Sequence, residues 1–403
     1  MSIFSLLGRV PRAYYAQLLS LGGSALLTFG TAFFLSAPAR GELAIFMLIS
    51  SVGSYGLGFG IPSEVLKRTS TDDEQGARSL FLLQIPVSLG LGLVVGILLF
   101  HFRPFPFVSD NSIALALLCA IVGALFNTLS WGEFGRKKYA YSTALRGVIP
   151  GATILVSIPF LFAKSESTSL VAGLYLLFTS LALLLLLRRL PSTRPQAHTE
   201  SQTPIVQSLR NASGFYGAQL LTLGVNRLPV IAAGVLLAPA ETAVVSIAVS
   251  LAEIQASLPQ IRSAITFSEA SSRRDGRFTR NYAKSAIAAL VPGTALVAVG
   301  ALVLSLILSR DYGSLPLYAL ILSPGVALLA LSASAINLLA VRNEYGWVII
   351  AQLIGVLTFG LLLGLGVGKS AISLLTIWSA LASIIGIAII LRARRPHKEG
   401  SAL

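Results

Sequence analysis

Charge and cysteine are what this sequence lacks. Only 11% of its 403 residues are Asp, Glu, Lys or Arg and 55% are hydrophobic, whereas an ordinary soluble domain carries about 25% charged residues. That balance excludes a chain folded around one core in water. Cys119 is the only cysteine, so no intrachain disulfide can form. His101, His198 and His397 stand far apart and share no ligand spacing with a second cysteine, which argues against a metal site. Long polar segments are scarce as well. The largest loop on the predicted outward side runs from 101 to 111, too short for the extracytoplasmic catalytic loop that a membrane glycan polymerase or ligase needs. We therefore read a transporter, not an enzyme, with no cofactor beyond a proton or sodium gradient as driving force. The segment Gly364-Leu365-Gly366-Val367-Gly368-Lys369-Ser370 lacks a phosphate-loop pattern, because Leu363 stands where the first glycine belongs.

What the sequence has is apolar length. Twelve runs, near 14–36, 43–66, 79–100, 112–131, 141–163, 169–187, 212–238, 243–267, 285–308, 315–340, 347–368 and 371–391, can each cross a hydrocarbon layer of about 30 Å as a helix. A backbone in lipid must satisfy its own hydrogen bonds, and these runs are too long for barrel strands. The predicted fold class is all-α and membrane-embedded, with about twelve spans. The run after Arg9 and Arg12 ends near Ala37-Pro38-Ala39; it is longer than the apolar region of a signal peptide, and we read it as a retained first helix.

The net charge of +14 is distributed, not clustered. Lys and Arg number 23 on the side that holds the N-terminus and five on the other (Arg40, Arg103, Lys164, Arg310 and Lys369), while Arg146 and Arg227 fall within spans. The positive-inside rule then places both termini in the cytoplasm. The basic excess is topological, with the lipid bilayer and not nucleic acid as its partner.

The chain repeats itself. Tyr14, Ala16, Gln17, Leu18, Leu19, Leu21 and Gly22 recur 202 residues later as Tyr216, Ala218, Gln219, Leu220, Leu221, Leu223 and Gly224; Gly41-Glu42-Leu43-Ala44 meets Ala240-Glu241-Thr242-Ala243, and Pro86 meets Pro292. A six-span unit returns to its starting side, so the halves are parallel repeats, with a central cavity expected between them. We divide the chain into an N-terminal lobe (1–190), a cytoplasmic linker (191–211), a C-terminal lobe (212–391) and a cytoplasmic tail (392–403). Each half opens on an amphipathic lead, Ile3, Phe4, Leu6 and Leu7 in one and Ile205, Val206 and Leu209 in the other, which reads either as an interfacial helix or as an extension of the first span.

Candidate functional residues are polar groups at membrane depth, where Arg or Asp costs on the order of 2.5–3.5 kcal/mol. Arg227 in span seven and Glu253 in span eight reach matching mid-membrane depth. Either they form an interhelical ion pair, or Arg227 meets an anionic substrate while Glu253 serves as counter-ion or ion-coupling site. Arg146, near the start of span five, either binds substrate too or snorkels to the interface. Gln17, Gln219, Asn226, Asn127 and Asn337 should face protein or a wet cavity, or else join helix to helix, and the first three are candidates for hydrogen bonds to substrate. Glu64 lies beside Lys67 and Arg68 at the end of span two, where we expect it to be solvated. Pro62, Pro86, Pro150, Pro159, Pro229, Pro259, Pro292 and Pro324 punctuate the spans and permit bends.

Four turns resemble those of a known group. Tyr55-Gly56-Leu57-Gly58 followed by Leu66-Lys67-Arg68, the turn Arg40-Gly41-Glu42-Leu43-Ala44, Gly135-Arg136-Lys137-Lys138-Tyr139, and Leu338-Leu339-Ala340-Val341-Arg342-Asn343 are similar to motifs of the bacterial polysaccharide (O-antigen type) flippases, within the multidrug/oligosaccharidyl-lipid/polysaccharide exporter superfamily. That resemblance implies a bacterial cytoplasmic (inner) membrane protein. It would flip a polyprenyl-pyrophosphate-linked oligosaccharide by alternating access for cell-surface polysaccharide and lipopolysaccharide biosynthesis, beside other polysaccharide-assembly membrane proteins. The rival within the same fold is a cation-coupled drug or metabolite antiporter.

Overall fold

The structure is a computed structural model and describes residues 12–162, 167–189, 205–270, 278–308, 310–341 and 344–394. Among these residues the chain forms thirteen α-helices and a short 3-10 turn, with no strand. In order they are α1 (Arg12–Phe34), α2 (Ala37–Gly56), α3 (Ile61–Ser70), α4 (Glu74–Phe102), α5 (Asp110–Gly135), α6 (Tyr139–Phe162), α7 (Thr168–Leu187), α8 (Ile205–Leu236), α9 (Pro239–Ala270), α10 (Phe278–Ile307), α11 (Leu315–Val341), α12 (Tyr345–Gly364) and α13 (Ala371–Arg394). Each predicted span coincides with one helix, except the second, which takes two. Nine of the described helices are long and apolar enough to cross a membrane, ten when α2 and α3 count as one bent span. The lead at Ile205 is the first turn of α8 and thus a helix extension. The lead at 3–7, the linker residues 191–204, the tail from 395, Arg342 and Asn343, and the side chains of Pro259, Pro292 and Asn337 lie outside the described residues.

The chain folds as two compact units, Met1–Tyr216 and Gly217–Leu403. Within each, the fourth span is the hub. In the first unit α5 packs on α2, α3, α4 and α7; in the second, α11 packs on α9, α10 and α13. The same partners in the same order are what a duplicated unit produces. Glycine sets the closest approaches: a Cβ on Gly23 would strike the backbone of Gly147, and one on Gly147 the backbone of Leu19, so α1 and α6 touch main chain to main chain. Leu93, Ile97, Leu306 and Leu361 are exposed, as faces turned to acyl chains must be.

The second span departs from its prediction as one continuous helix. It bends by 54° between α2 and α3, where Phe59 (φ 45°) and Gly60 (φ 77°) adopt the left-handed region. Gly60 takes that conformation at little cost, and Pro62 starts the new helix. At the break the Ile61 amide bonds to Gly58 instead of Leu57, which orphans the Leu57 carbonyl. Two fully buried side chains of α4 replace the lost donor: Gln84 Nε2 at 2.7 Å and Ser88 Oγ at 3.3 Å. The second unit solves a similar problem. Pro229 cannot donate to the Val225 carbonyl one turn back, and the indole Nε1 of the buried Trp378 on α13 donates to it at 2.8 Å.

That last bond yields a test. Replacing Trp378 by Phe leaves a buried carbonyl unpaired, at a cost of about 1–3 kcal/mol, and should lower the melting temperature of the purified protein. In a Pro229→Ala background the restored amide can take the carbonyl, so the same replacement should cost clearly less. Equal losses in both backgrounds would show that the indole contributes packing alone.

Candidate functional site

In the second unit α8 and α9 are consecutive and antiparallel, so residues at matching depth can meet. Arg227 Nη1 lies 3.2 Å from Glu253 Oε1, with side chains 25% and 35% exposed. The Nε of Arg227 is buried and has no hydrogen-bond partner among the described residues. Helix α8 is pinned just before the arginine, by the Trp378 bond to Val225 and by Gln352 Nε2 of α12 donating to Thr222 Oγ1 at 2.6 Å. Deeper in the unit, Gln255 bridges three helices, donating to Thr294 Oγ1 at 2.8 Å and accepting from Ser323 Oγ at 2.7 Å.

In the first unit Arg146 on α6 turns onto α5 instead of snorkelling along its own helix. Its Nη2 donates to Asn127 Oδ1 at 3.3 Å and Ser130 Oγ at 3.2 Å, and its guanidinium lies 5.8 Å from the centroid of the Phe134 ring. Asn127 in turn donates from Nδ2 to Ser54 Oγ of α2 at 3.3 Å. Every partner is neutral: among the described residues Arg146 makes no ion pair. Sequence reasoning named Asn127 as a polar group facing protein, a wet cavity or another helix, but missed Ser54 and Ser130. The available signal was the helical spacing of Asn127, Ser130 and Phe134, which lines one face of α5.

The three amide candidates are placed without partners. Gln17 on α1 and Gln219 and Asn226 on α8 are half-buried, and no side-chain hydrogen bond joins them to another described residue. Glu64 corrects the expectation of a solvated carboxylate. Helix α3 packs against α5, and Glu64 in its first turn is buried, 3.4 Å from Arg68 Nε, while Arg68 Nη1 reaches Asp73 at 3.1 Å.

Two turns that carried the family resemblance are clamps between helices. Glu42 accepts hydrogen bonds from the Ser109 amide (3.0 Å), Ser109 Oγ (2.6 Å), Ser112 Oγ (2.8 Å) and Thr168 Oγ1 (3.0 Å), which ties α2 to the N-termini of α5 and α7, where a negative charge is favoured. At the basic end of the unit Arg136 engages Glu74 through Nε (2.7 Å) and Nη2 (2.5 Å) and Glu133 through Nη1 (2.8 Å). The bonds to Glu74 raise the pKa of its guanidinium above the ordinary value, against the opposing effect of burial. Gly135 beside it sits against the Leu66 backbone, where a Cβ would collide.

Known structures share this architecture. An inward-facing multidrug resistance MATE family transporter of the MOP superfamily matches with a TM-score of 0.60 at 16% identity, over 98% of this chain and 94% of its own. The chain has the MATE fold. A mutant of the Vibrio cholerae MATE transporter VcmN matches with a TM-score of 0.62 at 15% identity, over 97% of both chains. An outward-facing MATE conformation matches at 0.55 and 14% identity, over 95% of this chain and 94% of its own. At such identities the likeness is one of fold. No family model matches the sequence, and no curated protein does.

Within the MATE fold the ion pair gives a direct test. Arg227→Ala and Glu253→Ala should each lower the melting temperature, because each leaves a charge uncompensated at membrane depth. The double variant should melt no lower than the worse single one. Additive losses would mean that the two charges are independently solvated.

Proposed function

We propose that the chain is an alternating-access exporter whose cargo is anionic, a polyprenyl-pyrophosphate-linked oligosaccharide flipped across the cytoplasmic membrane for cell-surface polysaccharide assembly. Two supports are general. The fold is that of transporters, and solved structures of it are described in both inward-facing and outward-facing conformations. The turns at 40–44, 55–68 and 135–139 resemble those of O-antigen type flippases.

The observation that carries the choice of cargo is Arg146. A guanidinium in a membrane span with only neutral partners keeps a cost that an ion pair would offset, and an anionic ligand offsets it during transport. In this reading Arg146 and Arg227 take the pyrophosphate or acidic-sugar charge, and Gln17, Gln219 and Asn226, unpartnered among the described residues, hydrogen-bond sugar hydroxyls. Glu253 is the carboxylate available for coupling to a proton or sodium gradient.

The comparisons favour a second reading, cation-coupled antiport of drugs or metabolites, since the matching structures are MATE transporters and one is described as a multidrug resistance transporter. The two separate on charge. A cationic drug calls for an unpaired carboxylate in the spans, and Glu253 is paired with Arg227.

Cells lacking the protein should accumulate the lipid-linked sugar on the cytoplasmic leaflet. Loss of one charge-assisted contact, about 2 kcal/mol or roughly thirtyfold in affinity, should make Arg146→Gln fail to restore export while the variant stays folded in the membrane. Wild-type export by that variant, or dye efflux on overexpression with no change in surface glycan, would replace this reading by the antiporter.

A further inference from the structure

The Arg227–Glu253 pair rests on one contact, unlike two pairs in which an arginine makes several bonds. Arg136 grips both oxygens of Glu74 with Nε and Nη2, and Arg392 places Nε and Nη2 on one oxygen of Glu344 at 3.0 and 2.7 Å. Both of those pairs lie at helix ends. Arg227 meets Glu253 through Nη1 at 3.2 Å, and its buried Nε has no partner among the described residues. A guanidinium is a planar fork that matches a carboxylate or phosphate through two parallel bonds. Here the fork is half used, at membrane depth, where each unmade bond is costly.

The reason is positional. Arg227 follows two fixed points on its N-terminal side, the bond of Thr222 to Gln352 and that of Val225 to Trp378, and stands two residues before Pro229. Helix α8 therefore cannot roll to bring the fork square onto Glu253. Both side chains nonetheless keep exposed surface, 25% and 35%, so the pair is reachable from outside the packed helices. A carboxylate that neutralises the arginine without saturating it serves as an occupant that a better-fitting oxyanion can displace.

Resting on the anionic-cargo reading, we propose that Glu253 is an internal stand-in for the cargo's anion: it holds Arg227 in the empty transporter, and a pyrophosphate-like oxyanion displaces it by taking both prongs of the guanidinium. Displacement has two consequences. The empty site carries no net charge at depth, so the protein can change conformation unloaded without moving an uncompensated cation through the membrane. The cargo's apparent affinity is reduced by the fraction of time that Glu253 occupies the site, which favours release after transport.

The test is calorimetric titration of the full-length chain in lipid nanodiscs with inorganic pyrophosphate. Glu253→Gln should bind pyrophosphate about tenfold more tightly than the wild-type chain, as removal of an internal competitor that occupies the site some nine-tenths of the time requires. Glu253→Asp, with a retracted carboxylate, should fall between the two and covers the case in which the amide variant fails to fold. Glu241→Gln, an exposed position on the same helix with the same change in net charge, should leave the affinity at the wild-type value. Adding Arg227→Gln to Glu253→Gln should remove the gain. Wild-type affinity in Glu253→Gln, or an equal gain in Glu241→Gln, would overturn the displacement proposal and leave the anionic-cargo reading standing. Absence of pyrophosphate binding in every form would overturn both.

Discussion

Each carbonyl that a glycine or proline releases inside hydrocarbon must find a donor within the protein, because the lipid offers none. This constraint organises both units. The break between α2 and α3 is possible because Gln84 and Ser88 of α4 reach the Leu57 carbonyl. The proline in α8 is possible because Trp378 of α13 reaches the carbonyl of Val225. In each case the irregularity is local and its compensation comes from another helix, so the bend and the packing are specified together. Irregular backbone is thereby fixed at a defined depth, which is what a site built on it needs.

The same logic extends from backbone to charge. At helix ends, where water is near, the chain includes clamps of several bonds: Arg136 with Glu74 and Glu133, Arg392 with Glu344, and Glu42 with its serine and threonine donors. At depth it uses unsaturated ones. Among the described residues Arg146 has neutral partners only, and Arg227 has a carboxylate that engages one prong of its fork. Clamps at the ends hold the helices of a unit together. The incompletely matched cations of the interior leave binding capacity for a ligand.

How much of this was legible in the sequence follows from the range of each interaction. The spans were legible because about twenty apolar residues in a row carry their own signal. The meeting of Arg227 with Glu253 was legible as a matching of depths on consecutive helices. The bend at Gly58, Gly60 and Pro62 was written in residue types, yet its direction and its donors were not, since Gln84 lies 27 residues from the carbonyl it serves. The orientation of Arg146 was hidden for a like reason: whether an arginine near a helix end snorkels or turns inward depends on which face of the next helix is polar, and that requires knowing how α5 and α6 are rotated. Glu64 was misplaced in solvent because the packing of α3 on α5 cannot be read from one helix alone. Two of the turns that carry the family resemblance proved to hold helices together, which explains how such motifs can mark an architecture without marking a ligand.

The account's central claim is that the polar groups at mid-depth on α8 face water and cargo, not acyl chains. The most direct measurement is cysteine accessibility at Asn226, beside Arg227, using Asn226→Cys in a Cys119→Ser background within intact cells and inside-out vesicles. The account predicts modification by a membrane-impermeant thiol reagent, with protection when an anionic ligand is bound. A thiol inert to the aqueous reagent from both sides, yet quenched by a lipid-dissolved probe, would contradict it.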